Sequence, residues 1–283
     1  MDIANVNGVE LEYETTGSGE PVLLVDPVVA DAFRPFLSAE PLVERYRLIR
    51  YHKRGWCGST HTTPPVSIAD HATDAAALLD ELGVSRAHVA GHSSGGAIAL
   101  QLALDYPDRV HTLALLEPSL FTVPSAQSLF AKTGPAMEAY GAGDHATAVE
   151  RFLSVVSGLD REKCRAVIEH HVPGALAQTI GDADTFFGVE LPALAGWTFG
   201  AEDAAAIHQP ILSVIGSETE PLWIDVAELL RGWFSQLEEL TVPGVGHLLQ
   251  MQNPEPVALG LAAFFARHPI NANKLVGDLI AQQ

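Results

Sequence analysis

Val89-Ala90-Gly91-His92-Ser93-Ser94-Gly95-Gly96-Ala97 is the stretch on which the reading of this 283-residue chain turns. Ala87, Val89, Ala90 and Gly91 lead into Ser93 as a short apolar run that reads as a strand. Gly95-Gly96-Ala97-Ile98-Ala99-Leu100 follows at once and opens an alanine- and leucine-rich run that reads as a helix ending at Pro107. The pattern is Gly-x-Ser-x-Gly, set between strand and helix as that pattern requires. The glycines have a steric reason. So sharp a turn holds its serine in a strained backbone conformation, and side chains at Gly91 or Gly95 would collide with neighbouring backbone. The turn lifts the Ser93 hydroxyl above the sheet, and the N–H of Ser94, at the helix start, points at a forming oxyanion.

Outward from this turn, strand and helix signals alternate. Residues 8–16 alternate apolar and polar, as a half-exposed edge strand does, and the turn Gly17-Ser18-Gly19 follows. Val22-Leu23-Leu24-Val25 is a continuous apolar run, the mark of a strand buried on both faces, and residues 46–51 form the next strand candidate. Residues 70–82 carry apolar side chains at helical spacing and stop at Gly83, a C-cap signal. Residues 110–116 read as another buried strand, ending at Glu117-Pro118. The alternation predicts a mostly parallel sheet with helices on both faces. It breaks off at Ser119. Residues 119–209 hold no convincing strand, but helical stretches at 125–140, 145–156 and 161–171 and a less regular one at 175–187. Strands resume at 211–215 and 237–242, a helix closes at 256–267, and residues 271–283 read as a short helix or disorder. The expected organisation is an α/β core, residues 1–118 and 210–283, with residues 119–209 inserted as a helical cap.

Two further stretches join the elbow in a resemblance. Tyr51-His52-Lys53-Arg54-Gly55-Trp56-Cys57-Gly58-Ser59 is similar to the Asp-x-Arg-Gly-x-Gly-x-Ser loop of the α/β-hydrolase superfamily, and Pro243-Gly244-Val245-Gly246-His247 to its late histidine loop. With the elbow between them, in family order, they make the chain resemble that superfamily over most of its length. The resemblance implies an α/β-hydrolase fold and a cap that shapes the substrate pocket. It also implies a catalytic serine, histidine and acid.

Serine needs a base to become a nucleophile at neutral pH. His247, following the last strand in a glycine-rich turn, is the candidate. His92 adjoins Ser93, but the tight turn directs its side chain away, so it reads as a wall of the elbow. The acid has to hold the imidazole in the right tautomer and stabilise the imidazolium. In most of the superfamily it follows the strand after the cap in a Gly-x-x-Asp pattern. Here Gly216-Ser217-Glu218-Thr219-Glu220 places Thr219 at that position with glutamates on either side. A second superfamily solution puts the acid at the end of the strand after the nucleophile helix, where this chain has Glu117. A charge between an apolar strand and Pro118 is costly unless paired. Glu117 is the first choice, Glu220 the second and Glu218 the third. Zearalenone lactonases are similar in their strand-end glutamate and their Ser-Ser-Gly elbow. Most relatives carry His-Gly after the first buried strand. This chain has Asp26-Pro27-Val28-Val29, and proline has no N–H to give, so Val28 is the expected partner of Ser94 in the oxyanion hole. Arg54 reads as a structural ion-pair partner. Asp26, His92, Phe187 and Trp197 are the pocket candidates, the last two from a cluster that includes Phe186 and Phe199.

Composition narrows the remaining classes. A formal charge of −19 argues against nucleic acid or an anionic membrane as partner. With 47% hydrophobic and 18% charged residues the chain has the make-up of a globular protein. Cys57 and Cys164 lack metal-ligand spacing, and a reduced cytoplasmic protein without a signal peptide is expected. Adjacent His170 and His171 point about 100° apart on a helix, so no metal is expected there. No Gly-x-Gly-x-x-Gly or Walker pattern appears, and no cofactor is expected. The reading is a monomeric or homodimeric serine hydrolase of a neutral ester or lactone. A ligand-binding sensor on the same fold, a perhydrolase-like enzyme and a C–C bond hydrolase remain the alternatives. Haloalkane dehalogenase chemistry is excluded, because it places aspartate where Ser93 stands.

Overall fold

Continuous apolar runs become the buried centre of one eight-stranded sheet in this computed structural model, which describes residues 1–270. The segment 271–283, read above as helix or disorder, lies outside the described residues. The strands are β1 (Asp2–Val6), β2 (Val9–Thr16), β3 (Glu20–Val25), β4 (Tyr46–Tyr51), β5 (Ala87–His92), β6 (Val110–Leu116), β7 (Ile211–Gly216) and β8 (Leu237–Val242). They lie in the order β1-β2-β4-β3-β5-β6-β7-β8. From β4 through β8 all pairings are parallel, while β2 runs antiparallel to both β1 and β4. β5 is buried at every position, whereas β2 and β8, toward the sheet's margins, are only partly buried.

Side chains of successive strand residues go to opposite faces, and each face has its own core. Leu23, Val25, Val89, Leu113 and Leu115 pack with the helices Ile68–Glu81, Ser94–Asp105 and Pro221–Trp233. Val22, Leu24, Ala90, Ala114 and Leu116 pack with the helix Pro254–Arg267. Between β6 and β7 the chain forms helices only, among them Ala126–Gly141, His145–Ser157 and Arg161–His171. Their core is a third cluster, which includes Val28, Val29 and Trp56 from loops at the strand ends and Leu248 and Met251 from the segment after β8. The helical segment thus sits over the C-terminal edge of the sheet, the edge where open α/β sheets bind ligands. Among the described residues no helix is long and apolar enough to cross a membrane.

Several elements escaped the pattern reading, among them β1 and the helix Pro221–Trp233. β1 joins β2 through Asn7-Gly8, both at positive φ, and Asn-Gly is itself a hairpin signal. The helix Pro221–Trp233 carries Pro at its start and buries Leu222, Trp223, Val226, Ala227 and Leu230.

An ion network pins the end of β4 to the neighbouring loops. Arg50 pairs with Glu14, Asp26 and Asp31, and His52 lies 2.8 Å from Glu12 and 2.7 Å from Asp31. Burial pulls the His52 pKa down, but hydrogen bonding to Asp31, Cys57 and Glu12 outweighs it and carries the value from 6.5 up to about 10. The folded state therefore holds this proton more tightly than the unfolded chain. The resulting stabilisation is complete below pH 6.5 and is lost as the pH rises through 10. Thermal unfolding is expected to shift to lower temperature across that interval, and His52→Gln is expected to flatten the slope. Melting curves at several pH values give the comparison, and equal slopes in the two proteins would contradict it.

Candidate active site

Ser93 occupies the turn between β5 and the helix Ser94–Asp105 at φ 53° and ψ −118°, a conformation L-residues rarely adopt. Close packing enforces it. A Cβ on Gly95 would lie 2.1 Å from the Val25 carbonyl oxygen, and one on Gly91 would lie 2.3 Å from that of Gly95. These contacts are backbone, which cannot swing aside. Gly95→Ala is therefore expected to cost about 3 kcal/mol of stability and to displace Ser93 with it. Denaturant unfolding together with labelling of Ser93 by a fluorophosphonate measures both, and wild-type behaviour in both would overturn the steric argument.

Three residues from distant parts of the chain meet above this edge. His247 follows β8, and its Nε2 lies 3.1 Å from Ser93 Oγ. Its Nδ1 lies 2.7 Å from Oε2 of Glu117, the residue after β6. Glu117 is itself held by two donors: the Gly216 N–H at 2.9 Å and the Thr219 hydroxyl at 3.0 Å. Thr219, which stands where the common pattern would place an aspartate, thus donates to the carboxylate that reaches the histidine. Burial raises the Glu117 pKa against these two donors and lowers that of His247. At neutral pH the imidazole is therefore uncharged, the form that can accept a proton. The tautomer that serves as base is the one in which the Glu117 carboxylate accepts the Nδ1 proton, which leaves the Nε2 lone pair facing Ser93.

The other two carboxylates lie elsewhere. Glu218 is exposed, and Glu220 faces Lys132 at 3.5 Å. His92 has both ring nitrogens engaged, 2.8 Å from the His247 carbonyl oxygen and 3.0 Å from Gln250 Nε2. It contributes to the wall of the cavity and braces the backbone of His247.

Around Ser93 is a narrow apolar cavity of about 30 Å³. Val28, Ser94, Ser119, Trp223 and Leu248 line it, and among the described residues no Asp, Glu, Lys or Arg does. Two pocket expectations, Asp26 and Trp197, are corrected here, and a third, Phe187, is placed in a neighbouring chamber. Asp26 is buried in its own loop, accepting from the Phe33 N–H at 2.8 Å and pairing with Arg50, so it does not reach the cavity. Trp197 lies beyond it, donating from Nε1 to Gln101 Oε1 at 2.7 Å. Phe187 lines a separate outer chamber instead.

Sequence reasoning missed several neighbours of the site. The Trp223 ring stacks on His247 with centroids 3.7 Å apart and planes at 3°, and its N–H donates to the Val156 carbonyl at 3.1 Å. Ser119 Oγ lies 3.3 Å from Ser93 Oγ. A buried ion pair joins Lys53 Nζ to Glu190 at 2.6 Å, with the other Glu190 oxygen accepting from Trp56 Nε1 at 2.7 Å. Lys53 also donates to the Pro27 carbonyl at 3.1 Å and lies 3.4 Å from Ser94 Oγ. The pair thereby ties the helical segment to the loop before Val28. The Pro221 helix start would have flagged Trp223's helix. The partnership of Lys53 and Glu190 has no local signal, because 137 positions separate them.

The fold agrees with the comparisons. Residues 27–154 match the family described as the alpha/beta hydrolase fold. RutD of Caulobacter segnis, a protein named for carbamate hydrolysis, is 33% identical over 180 residues, covering 62% of this chain and 67% of that protein. RutD of Azorhizobium caulinodans is 39% identical over 118 residues, covering 41% of this chain and only 44% of its own length. Among solved structures, a thermophilic esterase from Thermogutta terrifontis superposes with a TM-score of 0.77 at 22% identity, over 95% of this chain and 99% of that one. At that identity the likeness is one of fold. The chain belongs to the α/β-hydrolase fold family.

Proposed function

We propose that this protein is a serine hydrolase of neutral carboxylic esters or lactones, acting through an acyl-enzyme. The observation that carries the reading is the unbroken run of contacts from Ser93 through His247 to Glu117, 3.1 and 2.7 Å long. Ser93 Oγ attacks the carbonyl carbon while His247 Nε2 takes its proton. Glu117 stabilises the imidazolium that forms, and the stacked face of Trp223 adds a cation–π attraction that exists only once His247 is charged. The backbone N–H groups of Ser94 and Val28 hold the oxyanion. The tetrahedral intermediate collapses as His247 returns the proton to the leaving alkoxide. Water, activated by the same imidazole, then releases the acid. A substrate without charge is favoured because the cavity offers an ionised group no counter-ion.

The test is a panel of p-nitrophenyl esters, aliphatic lactones, a macrocyclic resorcylic lactone and an aryl carbamate, run beside fluorophosphonate labelling. The carbamate is included because the RutD relatives are named for that bond. Turnover of an ester or lactone with labelling at Ser93 supports the proposal. Turnover of the carbamate alone would change the substrate class. Absence of both turnover and labelling would sink the enzyme reading in favour of a ligand-binding role.

A further inference from the structure

The cavity at Ser93, about 30 Å³, is far smaller than the roughly 300–1,000 Å³ of small-molecule sites and does not take a substrate of that size whole. The rest of any substrate has to lie elsewhere. A second chamber of about 350 Å³ adjoins it, a volume in the range of small-molecule sites. Phe121, Leu129, Phe152 and Leu191 line both spaces, so these four side chains form the partition between them. The outer chamber is walled by Phe187 and by the helix Ala126–Gly141, and among the described residues no ionisable one lines it. At its mouth Phe130 and Met137 stand 49% and 43% exposed on that helix. Large apolar side chains held in water beside an apolar hollow are the mark of a binding groove.

We propose that this outer chamber is the binding site for an extended, unbranched apolar chain of the substrate, threaded between Phe121, Leu129, Phe152 and Leu191 to the carbonyl at Ser93. The substrate class is then an ester carrying a linear aliphatic chain on its acyl or its alcohol side. Each buried methylene contributes about 0.8 kcal/mol of binding. A polar or charged chain would lose its hydration against walls that offer it nothing. The inference rests on Ser93 being the nucleophile, so the test separates the two.

Ala195 lines the outer chamber and not the catalytic cavity, and it is exposed, so Ala195→Phe narrows the chamber without overfilling a core. In the wild type, p-nitrophenyl octanoate should exceed the acetate, or octyl acetate should exceed ethyl acetate, by about tenfold or more in kcat/KM. Ala195→Phe should abolish most of that preference while leaving the short ester within about twofold. Flat profiles in both series, or equal losses on short and long esters, overturn the chamber and leave the serine mechanism intact. If no ester turns over, ethyl and octyl fluorophosphonates read the same preference as labelling rates at Ser93. If Ser93 is not labelled at all, the nucleophile reading fails. The chamber is then judged by a neutral fluorophore, N-phenyl-1-naphthylamine. Binding that weakens in Ala195→Phe upholds the apolar site; absent or unaltered binding removes it.

Discussion

Glu117→Gln is expected to lower kcat by about a thousand- to ten-thousand-fold, and Ser93→Ala by at least as much. The physical reason for the first is tautomeric. A carboxylate 2.7 Å from His247 Nδ1 holds the proton there and stabilises the charge that develops on the ring. An amide can present its NH₂ to Nδ1, which moves the proton to Nε2 and leaves Ser93 without a base. With its NH₂ toward His247, Gln at position 117 keeps its oxygen as acceptor for the Gly216 N–H, and the Thr219 hydroxyl can rotate to accept from the NH₂, so the fold should hold and the loss should fall on kcat. Glu220→Gln and Glu218→Gln serve as controls. One carboxylate faces Lys132 and the other solvent, so each change should stay within about twofold. Steady-state kinetics on whichever ester the panel identifies decides it. A collapse in Glu220→Gln with Glu117→Gln unharmed would return the acid to the loop after β7.

The second large effect concerns stability. Lys53 and Glu190 are almost completely buried, and burial of an ion is tolerated only with its partner in place. Lys53→Met leaves the buried Glu190 charge without its counter-ion, and Glu190→Gln leaves the buried ammonium without one. Each single change is expected to cost about 3–5 kcal/mol, seen as a fall in Tm of roughly 10 °C. The double variant Lys53→Met/Glu190→Gln removes both charges and keeps an acceptor for Trp56, so it should recover part of the loss. Near-wild-type melting of Lys53→Met would show that the pair does not anchor the helical segment. Additive losses in the double variant would show that the two charges act separately.

The legible part of the fold was the part written in local periodicity. Apolar runs such as 22–25 and 110–116 can be satisfied only by burial on both faces, and they marked the parallel centre of the sheet. Gly91 and Gly95 marked the elbow because their missing side chains make room for backbone two ångströms away. Asn7-Gly8 and Glu220-Pro221 were equally local, and went unread.

The site divides along a different line. Ser93 and His247 sit in short motifs whose turns are specified by adjacent glycines, so their positions can be read from the chain alone. For the acid, sequence offered Glu117, Glu220 and Glu218 in order of preference and no more. Which carboxylate reaches His247 depends on how β6, β7 and the loop after β8 are set side by side, and strand order is a property of the packed sheet. The same holds for Asp26 and Trp197, where residue type suggested the pocket and packing put each side chain elsewhere, and for Phe187, which packing put in the outer chamber. By itself the sequence determined the class of fold, the elbow and the histidine loop, because backbone sterics and hydrophobic period act over a few residues. The tertiary structure alone decided the stack of Trp223 on His247, the Lys53–Glu190 pair and the two-chambered hollow. These depend on contacts between segments far apart in the chain, and no local pattern records them.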